Sequence, residues 1–165
     1  MGPNFQKAVD RLFANSRAYI NHPAHLGREA AFGLSGQIIR KHGYEGEVCF
    51  LPEAKAREIY EKEYWLPLRA DEIPYFIAFP LFECAVSSGP PLAIRLFQQS
   101  IGLPLTGDLT PETFTALKYA GPLITLNFIQ SRQLFHQSLP SWPAYGKDWT
   151  NRNFLNAKFL LEDIL

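Results

Sequence analysis

Two carboxylates stand apart by their setting. Glu29 follows Arg28 in a polar, glycine-containing stretch, and Glu83 lies in IPYFIAFPLFECAVSSG, the most apolar segment of the chain. A carboxyl whose pKa is raised by desolvation toward neutrality can protonate a leaving group, so each is a candidate general acid. Each also has a plainer reading. Glu29 beside Arg28 suits a solvated or ion-paired surface residue, and Glu83 suits a buried carboxylate hydrogen-bonded to a neighbouring segment. His22 and His25 are three apart, but Pro23 between them opposes the helical turn that would aim both rings at one ion. No cysteine or acidic pair flanks them, so no metal site is expected. Cys49 and Cys84 sit among apolar neighbours and read as buried free thiols, with a disulfide as the alternative. Ser87 and Ser88 lack a nearby His or Asp pattern and read as turn residues before Gly89-Pro90. No cofactor is implied.

Aromatic side chains are the other candidates, as stacking surfaces for a sugar or a partner protein. Tyr60, Tyr64 and Trp65 fall at helical spacing, which points to the core while leaving room for an exposed edge. Of Tyr119, Trp142, Tyr145 and Trp149, some are expected at the surface, because 14% of the chain is aromatic.

The elements that must position these residues are helical wherever a period can be read. Phe5, Val9, Leu12 and Phe13 form one apolar stripe on a first helix. Asn15 to Gly36 is a long structured loop, the kind of segment on which sites are built. A short helix through Gln37 to Lys41 ends at His42-Gly43, and Glu47 to Leu51 suggests a brief strand. Pro52 opens a helix that runs to Tyr64-Trp65 before Pro67. Phe76 to Val86 is the central buried helix, kinked or started at Pro80. Pro90 and Pro91 open the next, and Thr110, Pro111 and Glu112 read as N-cap, first residue and first-turn acid of another. Helices through Thr113 to Tyr119 and Leu123 to Leu139 follow. PSWPAYGKDW reads as an aromatic loop, with Thr150 or Asn151 capping a last helix to Leu165. The fold class is all-α, and 165 residues suit one domain in two halves, 1–89 and 90–165.

Composition excludes several functions. The 16 basic and 16 acidic residues cancel, which leaves no electrostatic excess for a nucleic acid or a bare anionic membrane. No apolar run approaches the roughly 20 residues of a spanning helix. MGPNFQKAVDRLF has no apolar signal core, so synthesis in the cytoplasm without a signal peptide is expected.

The stretch AVDRLFANSRAYINHPAHLGREAAFGLS resembles the opening motif of glycoside hydrolase family 108, the lysozyme-like N-acetylmuramidases of bacteria and phages also called secretion activators. That motif has a helix ending in Glu-Gly-Gly-Tyr, then Asn-Asp-Pro, Gly-Gly and Thr-Asn-Tyr-Gly-Ile; Tyr19, Asn21, Pro23, Gly27, Glu29, Phe32 and Gly33 match it. EIYEKEYWLPLRADEIP is similar to the family's helix ending in Tyr-Trp, and LFECAVSSGPPLAIRLFQQSIGLPLTGDLTPETFTALK to its core helix and peptidoglycan-binding-like half. The resemblance covers about residues 5–155. It implies a lysozyme-like helical domain and makes Tyr19, Asn21, Tyr64, Trp65, Trp142 and Trp149 candidate binding residues.

It also exposes departures. In the family the glutamate of Glu-Gly-Gly-Tyr resembles a lysozyme general acid, and here that position is Ser16, followed by Arg17 and Ala18 where the glycines would stand. A hydroxyl is too weak an acid to protonate a leaving sugar near neutral pH. The two aspartates are His22 and His25, the second glycine is Arg28, and the Thr and Asn before the aromatic are Ala30 and Ala31. Residues that shape a scaffold persist while those that would handle a proton or a sugar do not. The expectation is a catalytically inactive muramidase-like protein. It would act as a binding or regulatory module in a phage, secretion or cell-wall context, with a protein or peptidoglycan glycan as partner. It would reach the periplasm or the outside, if at all, through a holin or a secretion system. The alternative is an active N-acetylmuramidase using a displaced carboxylate, Glu29 or Glu83.

Overall fold

The computed structural model of the chain describes residues 2–14, 20–21 and 29–165, and for Ile20 and Asn21 the backbone alone. Contacts gather the chain into two compact units, Met1–Trp65 and Leu66–Leu165.

In the first unit, α1 (Pro3–Phe13) buries Phe5, Ala8, Val9, Leu12 and Phe13, the apolar stripe of its sequence. A three-stranded antiparallel sheet follows, made of β1 (Ile20–Asn21), β2 (Glu29–Ala31) and β3 (Leu34–Ser35) in that order. The segment expected as loop thus carries strand pairing, because strands of two or three residues are too short for alternation to show. Ala31 pairs with Leu34, so Phe32 and Gly33 form a two-residue hairpin turn, with φ of 53° and 80°. Positive φ at both positions is what a type I′ turn demands, and it is costly for phenylalanine. Two contacts hold Phe32 there. Its ring lies 5.1 Å from that of Phe13, and its carbonyl accepts a 2.7 Å hydrogen bond from the Tyr60 hydroxyl.

Helix α2 (Gly36–Lys41) is capped by Ser35, whose hydroxyl accepts from the Ile38 amide, and beyond its last turn Gly43 takes φ of 74°. Val48–Phe50 is a 3₁₀ turn, not the expected strand: the Phe50 and Leu51 amides bond back to the Glu47 and Val48 carbonyls, so the segment satisfies its backbone locally. Helix α3 (Glu53–Tyr60) runs on into a π-helical turn, Glu61–Trp65. Phe5 meets Trp65 edge-on at 5.6 Å, Phe13 meets Tyr60 at 5.7 Å, and Tyr60 meets Tyr64 at 5.8 Å. These aromatic rings are the core of the unit.

In the second unit, α4 (Tyr75–Ser88) is buried without a break from Ile77 to Ala85 and passes through Pro80 rather than starting there. α5 (Pro90–Ser100) follows Gly89 directly. The loop to α6 (Pro111–Lys118) is tied down by buried Gln98, whose amide nitrogen donates to Thr106, Thr113 and the Asp108 carbonyl and whose oxygen accepts from the Gly107 amide. Thr110 caps α6 as its sequence implies, accepting from the Thr113 amide. α7 (Pro122–Ser138) is followed by α8, which starts at Trp142 and reaches Ile164. The aromatic, proline-rich segment is therefore helix and not loop. Pro143 sits in the first turn, where a missing N–H costs nothing, and the Ser141 carbonyl accepts from the Ala144 and Tyr145 amides. α4 packs against α5, α7 and α8, so this helix, grouped by sequence with residues 1–89, belongs by its contacts with the helices after it.

Candidate functional site

The most apolar helix carries a charge because other helices supply its counter-charges. On α7 the buried face is Thr125, Phe128, Ile129, Arg132 and His136, a helical stripe in which the last two members are ionisable. Arg132 Nη1 donates to Glu83 Oε2, which also accepts from Asn156 Nδ2 on α8 at 3.0 Å. Arg152, one turn earlier on α8, brings Nη1 to 3.3 Å from the other carboxylate oxygen. Arg132 Nη2 reaches the Ser87 hydroxyl at 3.1 Å, and that hydroxyl donates to the Cys84 carbonyl.

Burial by itself pushes a carboxyl up, as the sequence argument for Glu83 supposes. Here the charge and hydrogen bond of Arg132, with Arg152 and Asn156 beside them, outweigh burial and hold Glu83 below its usual range. The expected rise is corrected to a fall. Glu83 is an ionised anchor between three helices and has no proton to give at neutral pH. Burial also pushes the neighbouring Cys84 thiol to about 11, so it is an unreactive core residue. Cys49, expected inside, is exposed, and both cysteines are free.

The opening motif is described only in part. Ser16, Tyr19, His22 and His25 lie outside the described residues, and Asn21 is placed by its backbone alone, opposite Glu29 in the β1–β2 register. Glu29 is half-buried at the start of β2, next to buried Ala30 and Ala31. It belongs to the first unit and Glu83 to the second. In the first unit a further carboxylate is committed: Glu63 accepts from Lys41 at 2.6 Å, and His42 Nε2 lies 2.7 Å away. The Lys41 bond leads in holding Glu63 below its usual range. Among the described residues no group of three His, Cys, Asp or Glu is placed to hold a metal ion. No described helix is long and apolar enough to cross a membrane.

The aromatic candidates separate. Tyr64 and Trp65 are buried and offer no stacking face, because the π-helical turn directs both into the core of the first unit. Trp142 and Trp149 are half-buried in a strip on α7 and α8, in which Trp149 stacks on His136 at 4.8 Å and touches Tyr145 at 5.6 Å and Trp142 at 6.4 Å. Tyr119 and Tyr145 are exposed. Gly146 makes room for Trp142, since a Cβ there would lie 2.7 Å from the indole ring.

Residues 10–89 match the glycosyl hydrolase 108 family model, a span that takes in Ser16, Glu29 and Glu83. That span is just under half of the chain, whose first half thus resembles the glycosyl hydrolase 108 family. The solved structure of SagA from Brucella abortus superposes with a TM-score of 0.85 at 23% identity, covering 96% of this chain and 94% of that one. At that identity the likeness speaks for the fold, which is the lysozyme-like, all-α arrangement expected. No curated protein matches the sequence. The residues that sequence reasoning passes over are Arg132, Arg152, Asn156 and His136, all beyond the matched span. Their trace is there to find: Arg132 and His136 put two ionisable groups on a buried helical face, and a cation on such a face calls for a buried anion.

Proposed function

We propose that this muramidase-like protein is catalytically inactive and serves as a binding or regulatory module in a phage, secretion or cell-wall setting. The observation that carries this reading is the fate of its carboxylates. The proton-donor position of the motif holds Ser16, and Glu83, the buried carboxylate best placed to have a raised pKa, is ionised against two arginines. Hydrolysis of a glycosidic bond needs a protonated acid at the leaving oxygen, and neither residue supplies one. Ala30 and Ala31 on β2 remove further polar groups from the motif.

The competing reading, a working muramidase with a displaced acid, rests on Glu29. It is the half-buried carboxylate that stays within the matched motif. Purified protein incubated with a peptidoglycan suspension between about pH 4 and 8 separates the two. The inactive module leaves turbidity unchanged and still sediments with the polymer or with a protein partner. A displaced-acid enzyme clears the suspension and loses that activity in Glu29→Gln.

A further inference from the structure

A pocket of about 250 Å³ opens in the second unit, lined by Ser87 and Ser88 from the end of α4, Leu92 from α5, Arg132, Phe135 and His136 from α7, Leu139, and Trp149 from α8. Its polar and apolar linings come from different places. Leu92, Phe135 and Leu139 are an apolar wall. Arg132, itself 2% exposed, and the Ser88 hydroxyl are the donors there, while the Ser87 hydroxyl, already donating to the Cys84 carbonyl, holds Arg132 in place.

The sign of the pocket follows from charge counting. One carboxylate, Glu83, faces two guanidinium groups, Arg132 and Arg152, so the cluster keeps one positive charge. No Asp or Glu is among the lining residues. His136 contributes no charge near neutral pH, because burial and then the Arg132 charge push its pKa down to about 4. Helix dipoles do not reverse the sign. At the α4–α5 junction and again between α7 and α8, a carboxyl end lies beside an amino end, and their partial charges oppose each other. The guanidinium Nε of Arg132 is buried and has no acceptor among the described residues. An arginine with a donor to spare, the Ser88 hydroxyl and an apolar wall form a receptor for a carboxylate that carries a small apolar substituent.

The size sets a further limit. Drug-sized ligands occupy roughly 300–1,000 Å³, and this pocket falls below that range, so it takes a terminal group and not a length of polysaccharide. Trp149 is already stacked on His136 and tilted against Tyr145, so it is a poor platform for a sugar within the pocket.

We propose that the Ser87, Arg132 and Trp149 pocket binds the free carboxylate of a short acylated amino acid or peptide end, with its side chain against Leu92, Phe135 and Leu139. All its lining residues belong to the second unit, and the proposal does not depend on whether the motif of the first unit is active.

The test is titration of the intact protein with N-acetyl-alanyl-alanine, in both stereochemical series, followed by tryptophan emission and by the His136 ring resonances. The probes for comparison are its carboxamide, propionate and N-acetylglucosamine. Saturable shifts with the acid and none with the carboxamide are expected. Propionate distinguishes a site for any small acid from one for a peptide end: the proposal expects the dipeptide to bind more tightly. Arg152→Gln, which leaves Glu83 its bonds to Arg132 and Asn156, should weaken binding roughly two- to fivefold, and Leu92→Trp, which fills the pocket, should abolish it. Circular dichroism checks that both variants fold. Equal response to acid and carboxamide, response to N-acetylglucosamine alone, or no response in any series with folded protein would overturn the proposal.

Discussion

The Arg132 guanidinium and the Glu83 carboxylate, 49 residues apart in sequence, form a buried ion pair that joins α7 to the most apolar helix of the chain. The pair decides the chemical character of Glu83. The same burial that would make a lone carboxyl a usable acid makes a paired one an obligatory anion.

Replacing Glu83 is therefore expected to unfold the protein more readily and to change no catalysis. Glu83→Gln leaves Arg132 charged and buried without a counter-charge, a loss of about 3 to 5 kcal/mol by analogy with broken buried pairs. Urea unfolding monitored by circular dichroism measures it. A variant as stable as the parent would mean that the ion pair contributes nothing to the second unit.

Stability should also fall in mild acid, and its direction can be worked out from His136. Burial, then Arg132, hold its folded pKa at about 4 against 6.5 for the free imidazole. Between those values the unfolded chain binds the extra proton, so stability is complete above about pH 6.5 and declines toward pH 4, by about 3 kcal/mol if His136 acts alone. Glu83, also held below its free value, continues the decline as it is protonated at lower pH. Unfolding free energies at a series of pH values check this, and His136→Gln should flatten the slope in the upper part of the range.

The hairpin within the motif gives a third expectation. Tyr60→Phe removes the 2.7 Å bond to the Phe32 carbonyl and should cost about 1 kcal/mol. Gly33→Ala, at φ of 80°, should cost about 1 to 2 kcal/mol through backbone strain. Thermal melts of the two variants and their combination test whether both act on the same turn, since coupled changes are not additive.

What could be read from the sequence was local. The α1 stripe from Phe5 to Phe13 and the Thr110 cap of α6 each depend on neighbours within four residues, and the structure has both. The strands around Phe32 were hidden by their brevity, and the start of α8 at Trp142 was hidden by a proline and aromatic run that composition alone reads as loop. The partner of Glu83 was not local at all. A carboxylate's pKa depends on what packs against it, and Arg132, Arg152 and Asn156 arrive from helices that begin 39 or more residues further along. Ser16 was legible only because a family resemblance said which residue ought to stand there.

Restoring the acid alone should restore little. Ser16→Glu puts a carboxyl back but leaves Arg17, Ala18, His22 and Ala30 where the resemblance expects Gly, Gly, Asp and Thr. A positioned general acid typically contributes about a hundred- to ten-thousandfold. A gain of that size from the single substitution, read as release of reducing sugars, would show that the rest of the cleft is intact.

The most direct measurement is product analysis. Peptidoglycan is incubated with a large amount of purified wild-type protein near pH 5, where carboxyl acids work best, and the soluble fraction is examined by mass spectrometry for muropeptides with new reducing ends. An inactive protein yields none above a control without protein. Muropeptides accumulating with time and with protein concentration, and absent from Glu29→Gln, would contradict inactivity and identify the displaced acid.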